Sequence, residues 1–149
     1  TQEFNLQPKA EQAHFENYEE GMAYAAAHNM PVMLDFTGYG CVNCCKMEAA
    51  VWTAPEVKEL IEQQYVLISL YVDEKKALPE PETVVENGAE RKLRTVGDKW
   101  SYLQRSKFGA NAQPFYVLVD AQGNPLNKSY SYNEDVPAFV EWLKGGLRK

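Results

Sequence analysis

The sequence lacks several features that would assign it to common functional classes. No apolar run approaches the roughly 20 residues that a membrane-spanning helix needs, and no signal-peptide pattern or internal repeat is present. Lysine and arginine total 15 against 21 aspartates and glutamates, which leaves a net charge of -6. That acidic balance argues against nucleic acid and against anionic membrane surfaces as partners. The 149 residues suffice for one hydrophobic core, so we expect a single domain over 1–149 with a polar tail over 1–10.

Cysteine and histidine are both scarce. The three cysteines lie within five residues, at Cys41, Cys44 and Cys45, and the two histidines, His14 and His28, both precede them. Cysteines so clustered cannot staple a domain together. Zinc prefers four ligands, and the chain has no second C-x-x-C motif, so a zinc site is disfavoured. We therefore predict a reactive thiol site with no metal and no cofactor.

The stretch from Val32 to Met47 carries the chemistry. An apolar strand, Val32–Phe36, leads through a glycine-rich turn to Cys41 and Cys44, which sit where a helix is expected to begin. A helix N-terminus presents unpaired N–H groups and the positive end of the helix dipole, and both lower the pKa of a thiol there. The spacing allows a disulfide within one helical turn. We expect Cys41 to be the nucleophile and Cys44 the more buried resolving thiol.

The remaining pattern predicts an α/β fold with a central mixed β-sheet flanked by helices on both faces. A β-hairpin insertion is expected around residues 75–97, with its turn at Asn87-Gly88 and a polar connector over Leu78–Glu82. Thr53 and Glu56 resemble a capping box that starts a new helix. Helices are predicted over Ala13–His28, Cys41 to about Trp52, Glu56–Gln63, Asp98–Phe108 and Val136–Leu147, and strands over Val32–Phe36, Tyr65–Val72, Phe115–Asp120 and Leu126–Tyr132.

The run D-F-T-G-Y-G-C-V-N-C between a strand and a helix, with a later Gln113-Pro114 before a strand, resembles the thioredoxin superfamily. The resemblance covers about residues 30–73 and 108–147 and implies a thioredoxin-like fold. Its details are most similar to the C-terminal soluble domain of the DsbD family of thiol:disulfide interchange proteins. The chain departs from thioredoxins in having Gly40 before the first cysteine, Val42-Asn43 between the cysteines, and a long segment between Asp73 and Pro114.

The resemblance implies further site residues. An acid at the position of Asp35 is expected to take the proton of the resolving cysteine; if Asp35 is buried, its pKa should be raised by desolvation. The alternative is an exposed residue on an edge strand. Pro114 matches the family's cis-proline, beside which Gln113 would pair with a bound peptide; the alternative is a proline that opens an edge strand. Apart from the resemblance, Tyr39 is expected to shield the thiols because it is a turn residue beside them.

The implied function is a thiol–disulfide oxidoreductase that acts mainly as a reductant of disulfides in exported redox proteins, including cytochrome c maturation factors. The resemblance also implies a periplasmic location and a membrane-embedded electron-donor domain of the same full-length protein as a partner. The alternatives are a disulfide isomerase or oxidase, and a Sco-type copper chaperone using Cys41 and Cys45. The copper site would need a downstream histidine, and none follows His28. Cys45 is predicted to be a small core residue, with an auxiliary thiol as the alternative.

Overall fold

The computed structural model describes residues 13–147, so the predicted tail over 1–10 lies outside the described part. The elements in chain order are β1 (His14–Phe15), α1 (Tyr18–His28), β2 (Val32–Thr37), α2 (Val42–Ala50), α3 (Pro55–Gln64), β3 (Val66–Tyr71), β4 (Ala77–Glu86), β5 (Ala89–Thr95), α4 (Val96–Phe108), β6 (Phe115–Val119) and α5 (Val136–Gly145). Within residues 13–147 no helix combines the length and the apolarity that crossing a membrane requires.

Four strands form the central sheet in the order β1-β3-β2-β6. Strands β1, β3 and β2 run parallel, and β6 is antiparallel to β2. The sheet is therefore mixed, as predicted. Strands β2 and β6 are buried along their whole length, and β3 is buried up to its last residue. Burial of this extent explains why these segments are nearly continuous apolar runs.

The two faces of the sheet are covered by different helices, as the sequence predicts. Alternate residues of a strand point to opposite faces, and on β2 this separates Met33 from Leu34. Met33 belongs to a core with residues of α2, α3 and α5, whereas Leu34 belongs to a second core with residues of α1 and α4. Asp35 shares the parity of Met33, so it lies on the face that α2 covers.

Strands β4 and β5 form a separate two-stranded antiparallel sheet, which is the predicted hairpin insertion. Its first strand is longer than predicted, because Leu78–Glu82 lies within β4 and is not a connector. Prolines are tolerated there because β4 has only one partner strand and thus an open edge. Leu93 is buried, and Glu86 accepts two hydrogen bonds from Arg105 of α4, which attaches the hairpin to the main body.

The predicted helix over Ala13–His28 is wrong at its start. His14 and Phe15 form a short strand beside β3, and the helix begins only at Tyr18. The side chain of Asn17 accepts a hydrogen bond from the N–H of Glu20, so Asn17 is the N-cap. Asparagine is among the best N-cap residues, and this cap overrides the apolar spacing that linked Phe15 to the helix.

Two further local predictions need correction. The Thr53–Glu56 capping box does not form: Ala54 is the N-cap of α3, and the Thr53 hydroxyl donates to the carbonyl of Ala49 instead. The strand predicted over Leu126–Tyr132 is reduced to isolated bridges of Tyr130 with Tyr116 and of Pro125 with Val119. The register shifts by two residues between these bridges, which interrupts the ladder. That the whole of 1–149 is one domain stays a prediction.

Candidate redox site

A disulfide joins Cys41 and Cys44 at the N-terminus of α2, with the two Cα atoms 5.3 Å apart. Cys41 is the N-cap residue, and its Sγ accepts a hydrogen bond from the backbone N–H of Cys44 at 3.1 Å. In the reduced protein this N–H and the helix dipole would stabilise a thiolate at Cys41. The site therefore has the predicted location, at the junction of a strand, a turn and a helix.

The two sulfur-bearing residues differ in exposure. Cys41 is partly exposed, whereas Cys44 is only 2% exposed. A partner disulfide can therefore approach Cys41, and Cys44 can be reached only from within the protein. This asymmetry is the one that a nucleophile and a resolving thiol require.

The glycine-rich turn before Cys41 is fixed by a residue that the sequence does not single out. The Asp73 carboxylate accepts hydrogen bonds from the backbone N–H groups of Tyr39, at 2.9 Å, and Gly40, at 3.0 Å. Partial burial tends to raise the pKa of Asp73, but the N–H groups of Gly40 and Tyr39 hold it below its ordinary value. A charged acceptor at the end of β3 thus positions the turn that presents Cys41.

Asp35 is buried, at 2% exposure, on the sheet face that α2 covers. Its pKa is raised from 3.8 to about 8, mainly by burial and to a smaller extent by the nearby Glu48 charge, while a hydrogen bond from Ser69 opposes the shift. The Ser69 hydroxyl donates to Asp35 Oδ2 at 3.3 Å. The expectation of a buried carboxyl with a raised pKa is confirmed, and the alternative of an exposed edge residue is wrong.

Pro114 lies at the same edge of the sheet as the turn to Cys41. The pairing of β2 with β6 ends at Phe36 and Phe115, so Pro114 directly precedes the last paired residue. The Gln113–Pro114 peptide bond is cis, as the resemblance implied. The side chain of Gln113 donates to Oε1 of the fully buried Gln104. Gln104 in turn donates to the carbonyl of Ala112 and so holds this loop from within.

Tyr39 is 60% exposed and is anchored by its ring and its hydroxyl group. The ring stacks on Tyr71 with centroids 4.1 Å apart, and the hydroxyl donates to Glu74 at 3.0 Å. That hydrogen bond is the main reason why the pKa of Tyr39 is raised. Its role in shielding the thiols stays a prediction.

Cys45 is exposed, so its interpretation as a small core residue is wrong. The buried positions of α2 are Cys44 and Met47, followed by Val51 at the C-cap. Cys45 is turned by about 100° around the helix from Cys44, which places it off the buried face of α2. Lys46, the next residue, is exposed as well. Across residues 13–147, no cluster of three or more His, Cys, Asp or Glu side chains is arranged to hold a metal ion.

A mixed sheet covered by helices on both faces, with a Cys-x-x-Cys disulfide at the start of a helix, defines the class of thioredoxin-fold thiol–disulfide oxidoreductases. The family model described as thioredoxin-like matches residues 12–121. The chain belongs to the thioredoxin-like family.

Solved structures with similar folds fit this assignment. A DsbH oxidoreductase has a TM-score of 0.63 and 21% identity, over 96% of this chain and 92% of that one. A Thermus thermophilus thioredoxin has a TM-score of 0.62 and 20% identity, over 89% of this chain and 85% of that one. The reduced C-terminal domain of Neisseria meningitidis DsbD has a TM-score of 0.62 and 18% identity, over 89% of this chain and 98% of that one. No curated protein sequence matches the chain significantly.

Proposed function

We propose that this protein reduces disulfides of exported redox proteins, with electrons passing through the Cys41–Cys44 pair. The observation that carries the proposal is the asymmetric pair itself: Cys41 caps a helix at the surface, and Cys44 lies beneath it. The structural similarity to the DsbD C-terminal domain supports a periplasmic location. A membrane-embedded domain of the same full-length protein is the proposed electron donor.

The proposed reaction has two steps in which sulfur replaces sulfur. The Cys41 thiolate attacks one sulfur of the partner disulfide, and the partner's other sulfur leaves as a thiolate that takes a proton from solvent. Cys44 then gives its proton to the Asp35 carboxylate and attacks the Cys41 sulfur. The partner's second sulfur leaves, the Cys41–Cys44 disulfide closes, and two electrons have moved to the partner.

Equilibrium with glutathione tests the direction of electron flow. We expect a reduction potential nearer to the value of about −270 mV for thioredoxin than to the value of about −120 mV for DsbA. Val42-Asn43 between the cysteines provides no histidine that would stabilise the thiolate form more strongly. A potential near the DsbA value would overturn the reductant assignment and favour an oxidase or isomerase.

Asp35→Asn tests the proton acceptor. The variant should slow release of the partner from a mixed disulfide with Cys41, because Cys44 loses its base, and should slow the initial attack by Cys41 less. Rapid-mixing kinetics with a single disulfide substrate resolve both steps. Equal slowing of the two steps would contradict the role of Asp35.

A trapping experiment identifies the partners. With Cys44→Ser and Cys45→Ser combined, the mixed disulfide at Cys41 cannot be resolved by either neighbour. Mass spectrometry of the species captured from an exported-protein extract should yield redox proteins with exposed disulfides. Cys41→Ser added to the same background is the matched control; it removes the last of the three cysteines and should capture nothing.

A further inference from the structure

A chain of hydrogen bonds leads from the buried acid toward the surface. Ser69 Oγ donates to Asp35 Oδ2 at 3.3 Å. Ser69 Oγ also lies 3.0 Å from Nε2 of His14. Asp35 and Ser69 are both buried, whereas His14 is exposed. The three side chains therefore connect the carboxyl under α2 with solvent.

The register of the sheet produces this alignment. Asp35 of β2 is the direct partner of Ser69 on β3, so the two side chains lie side by side on one face. His14 of β1 pairs with Leu67, which is two residues before Ser69 and thus on the same face. The chain crosses three neighbouring strands and ends at β1, the outermost strand of the sheet.

The outer end of the chain opens into a cleft of about 400 Å³ between α2, α3 and the sheet. His14 and Ser69 both line it. The titratable groups that face it from the packed elements are Glu48 of α2, Lys58 and Glu62 of α3, and Tyr71 of β3. Tyr116 on β6 and Tyr71 interact electrostatically with Asp35. A cleft of this size that carries several polar side chains can hold water molecules, which can take up a proton from His14.

We propose that Ser69 and His14 form the route by which the proton collected by Asp35 reaches solvent. The proposal rests on the proposed function, in which Asp35 takes the proton of Cys44. Asp35 passes that proton to Ser69 Oγ while the Ser69 hydroxyl proton moves to His14 Nε2. His14 Nδ1–H then gives a proton to water, so one proton leaves and Asp35 is again a carboxylate. Ser69 and His14 act through Asp35 and are positioning residues.

Neutral imidazole is suited to this task because it accepts a proton at one nitrogen and releases one from the other. Asp35 at 2% exposure has little contact of its own with water. Glu48 also lines the cleft and raises the pKa of Asp35 through its charge. A route through Glu48 is the competing path, and the experiment separates the two.

The test measures the resolving step in the Cys45→Ser background, at neutral pH and low buffer concentration. Because the pKa of Asp35 is raised to about 8, Asp35 must first release its proton through the relay under these conditions before it can accept one from Cys44. His14→Gln keeps a hydrogen-bonding group beside Ser69 but cannot relay a proton. We expect it to slow resolution about tenfold, less than the roughly hundredfold or more of a direct proton acceptor, while the initial attack by Cys41 is unchanged. Added imidazole should restore the rate by binding in the cleft, a rescue that a purely structural effect would not show. His28→Gln, at the exposed end of α1, is the matched control and should leave the rate unchanged.

Ser69→Ala and Glu48→Gln complete the set. Ser69→Ala breaks the chain at its centre, so resolution should slow and imidazole should give no rescue. Unchanged resolution in His14→Gln, slowing without imidazole rescue, or slowing only in Glu48→Gln would each overturn the relay. If Asp35→Asn still slows resolution in those cases, the proposed function survives; if Asp35→Asn also resolves at the normal rate, the role of Asp35 fails with the relay.

Discussion

Asp35 is the residue at which stability and reactivity oppose each other. It interrupts an apolar strand and lies in the core, where burying an ionised carboxyl is costly. The hydrogen bond from Ser69 offsets only part of that cost, since the net effect of the surroundings is still to raise the pKa of Asp35 to about 8. A carboxyl that titrates near neutral pH is suited to exchanging protons with a buried thiol.

This conflict predicts a pH-dependent stabilisation in Asp35→Asn. Between pH 3.8 and about pH 8, the ordinary and the raised pKa of Asp35, the folded protein holds a proton at Asp35 that the unfolded chain has released. The free energy of unfolding of the wild type therefore falls with rising pH across this window, by roughly 1 kcal/mol per pH unit from this group. Asparagine has no such proton, so the variant should gain stability relative to the wild type as pH rises. Urea unfolding of the oxidised wild type and variant at several pH values measures the difference in their free energies of unfolding. If the two free energies changed with pH in parallel, the prediction would be contradicted.

The sequence identified the site residues that carry a local signal. Cys41 and Cys44 follow from their spacing, and Asp35 stands out because it interrupts an apolar run. Asp73 and Ser69 were missed because each reaches the site only once β3 lies beside β2, and their partners are 33 or 34 residues away along the chain. A surface aspartate and a strand serine look the same in sequence whether or not such a contact forms.

Local signals mark the end of α4 and the start of α5, whereas the start of α1 was predicted wrongly although Asn17 is a strong N-cap. Gly109 ends α4 in the left-handed conformation and Asp135 caps α5, where the predicted helices end at Phe108 and begin at Val136. The error at α1 arose because the apolar spacing continued past Asn17 into β1. A good N-cap residue stabilises a helix by only about 1 kcal/mol. Tertiary contacts of that size, which the sequence does not reveal, therefore decide at which residue a helix begins.

The start of α4 controls the end of β3 through a close backbone contact. A Cβ atom at Gly97 would lie 2.6 Å from the carbonyl oxygen of Val72 and 2.7 Å from the backbone nitrogen of Glu74. The Gly97 N–H also donates to the carbonyl of Glu74 at 3.0 Å. Asp73, which fixes the turn before Cys41, lies between these two contacts. A helix remote from the disulfide in sequence thus determines where the turn is held.

Gly97→Ala should therefore both destabilise the protein and loosen the redox site. We expect a loss of about 1–3 kcal/mol from overpacking against backbone that cannot yield freely, with a slower attack by Cys41. Chemical denaturation and exchange kinetics measure the two effects. Gly40→Ala is the matched control for the loss of stability, since its Cβ would find only an ordinary contact of 3.7 Å with Asp73. Equal behaviour of the two variants would disprove this coupling.

At the scale of the whole molecule, the sheet order brings separate segments to one edge. Strand β2 runs into the turn before Cys41, and β3 runs parallel to it and ends just before Asp73. On the other side of β2, the antiparallel β6 begins after Pro114, beside the end of β2. The hairpin β4–β5 is inserted between β3 and α4 without interrupting this sheet. The redox site is thus assembled only when the sheet is folded, so the reduction potential of the disulfide and the stability of the folded protein are linked.

That coupling predicts the relative stability of the two redox states. In a reductant, the folded protein favours the disulfide over the dithiol more than the unfolded chain does, so the oxidised form should be the more stable one. About 30 mV of difference in reduction potential between the folded and unfolded chains corresponds to about 1.4 kcal/mol of stability. Urea unfolding of oxidised and reduced protein in the Cys45→Ser background, where thiol scrambling is prevented, measures this difference. Greater stability of the reduced form is the property of an oxidant and would reverse the proposed direction of electron flow.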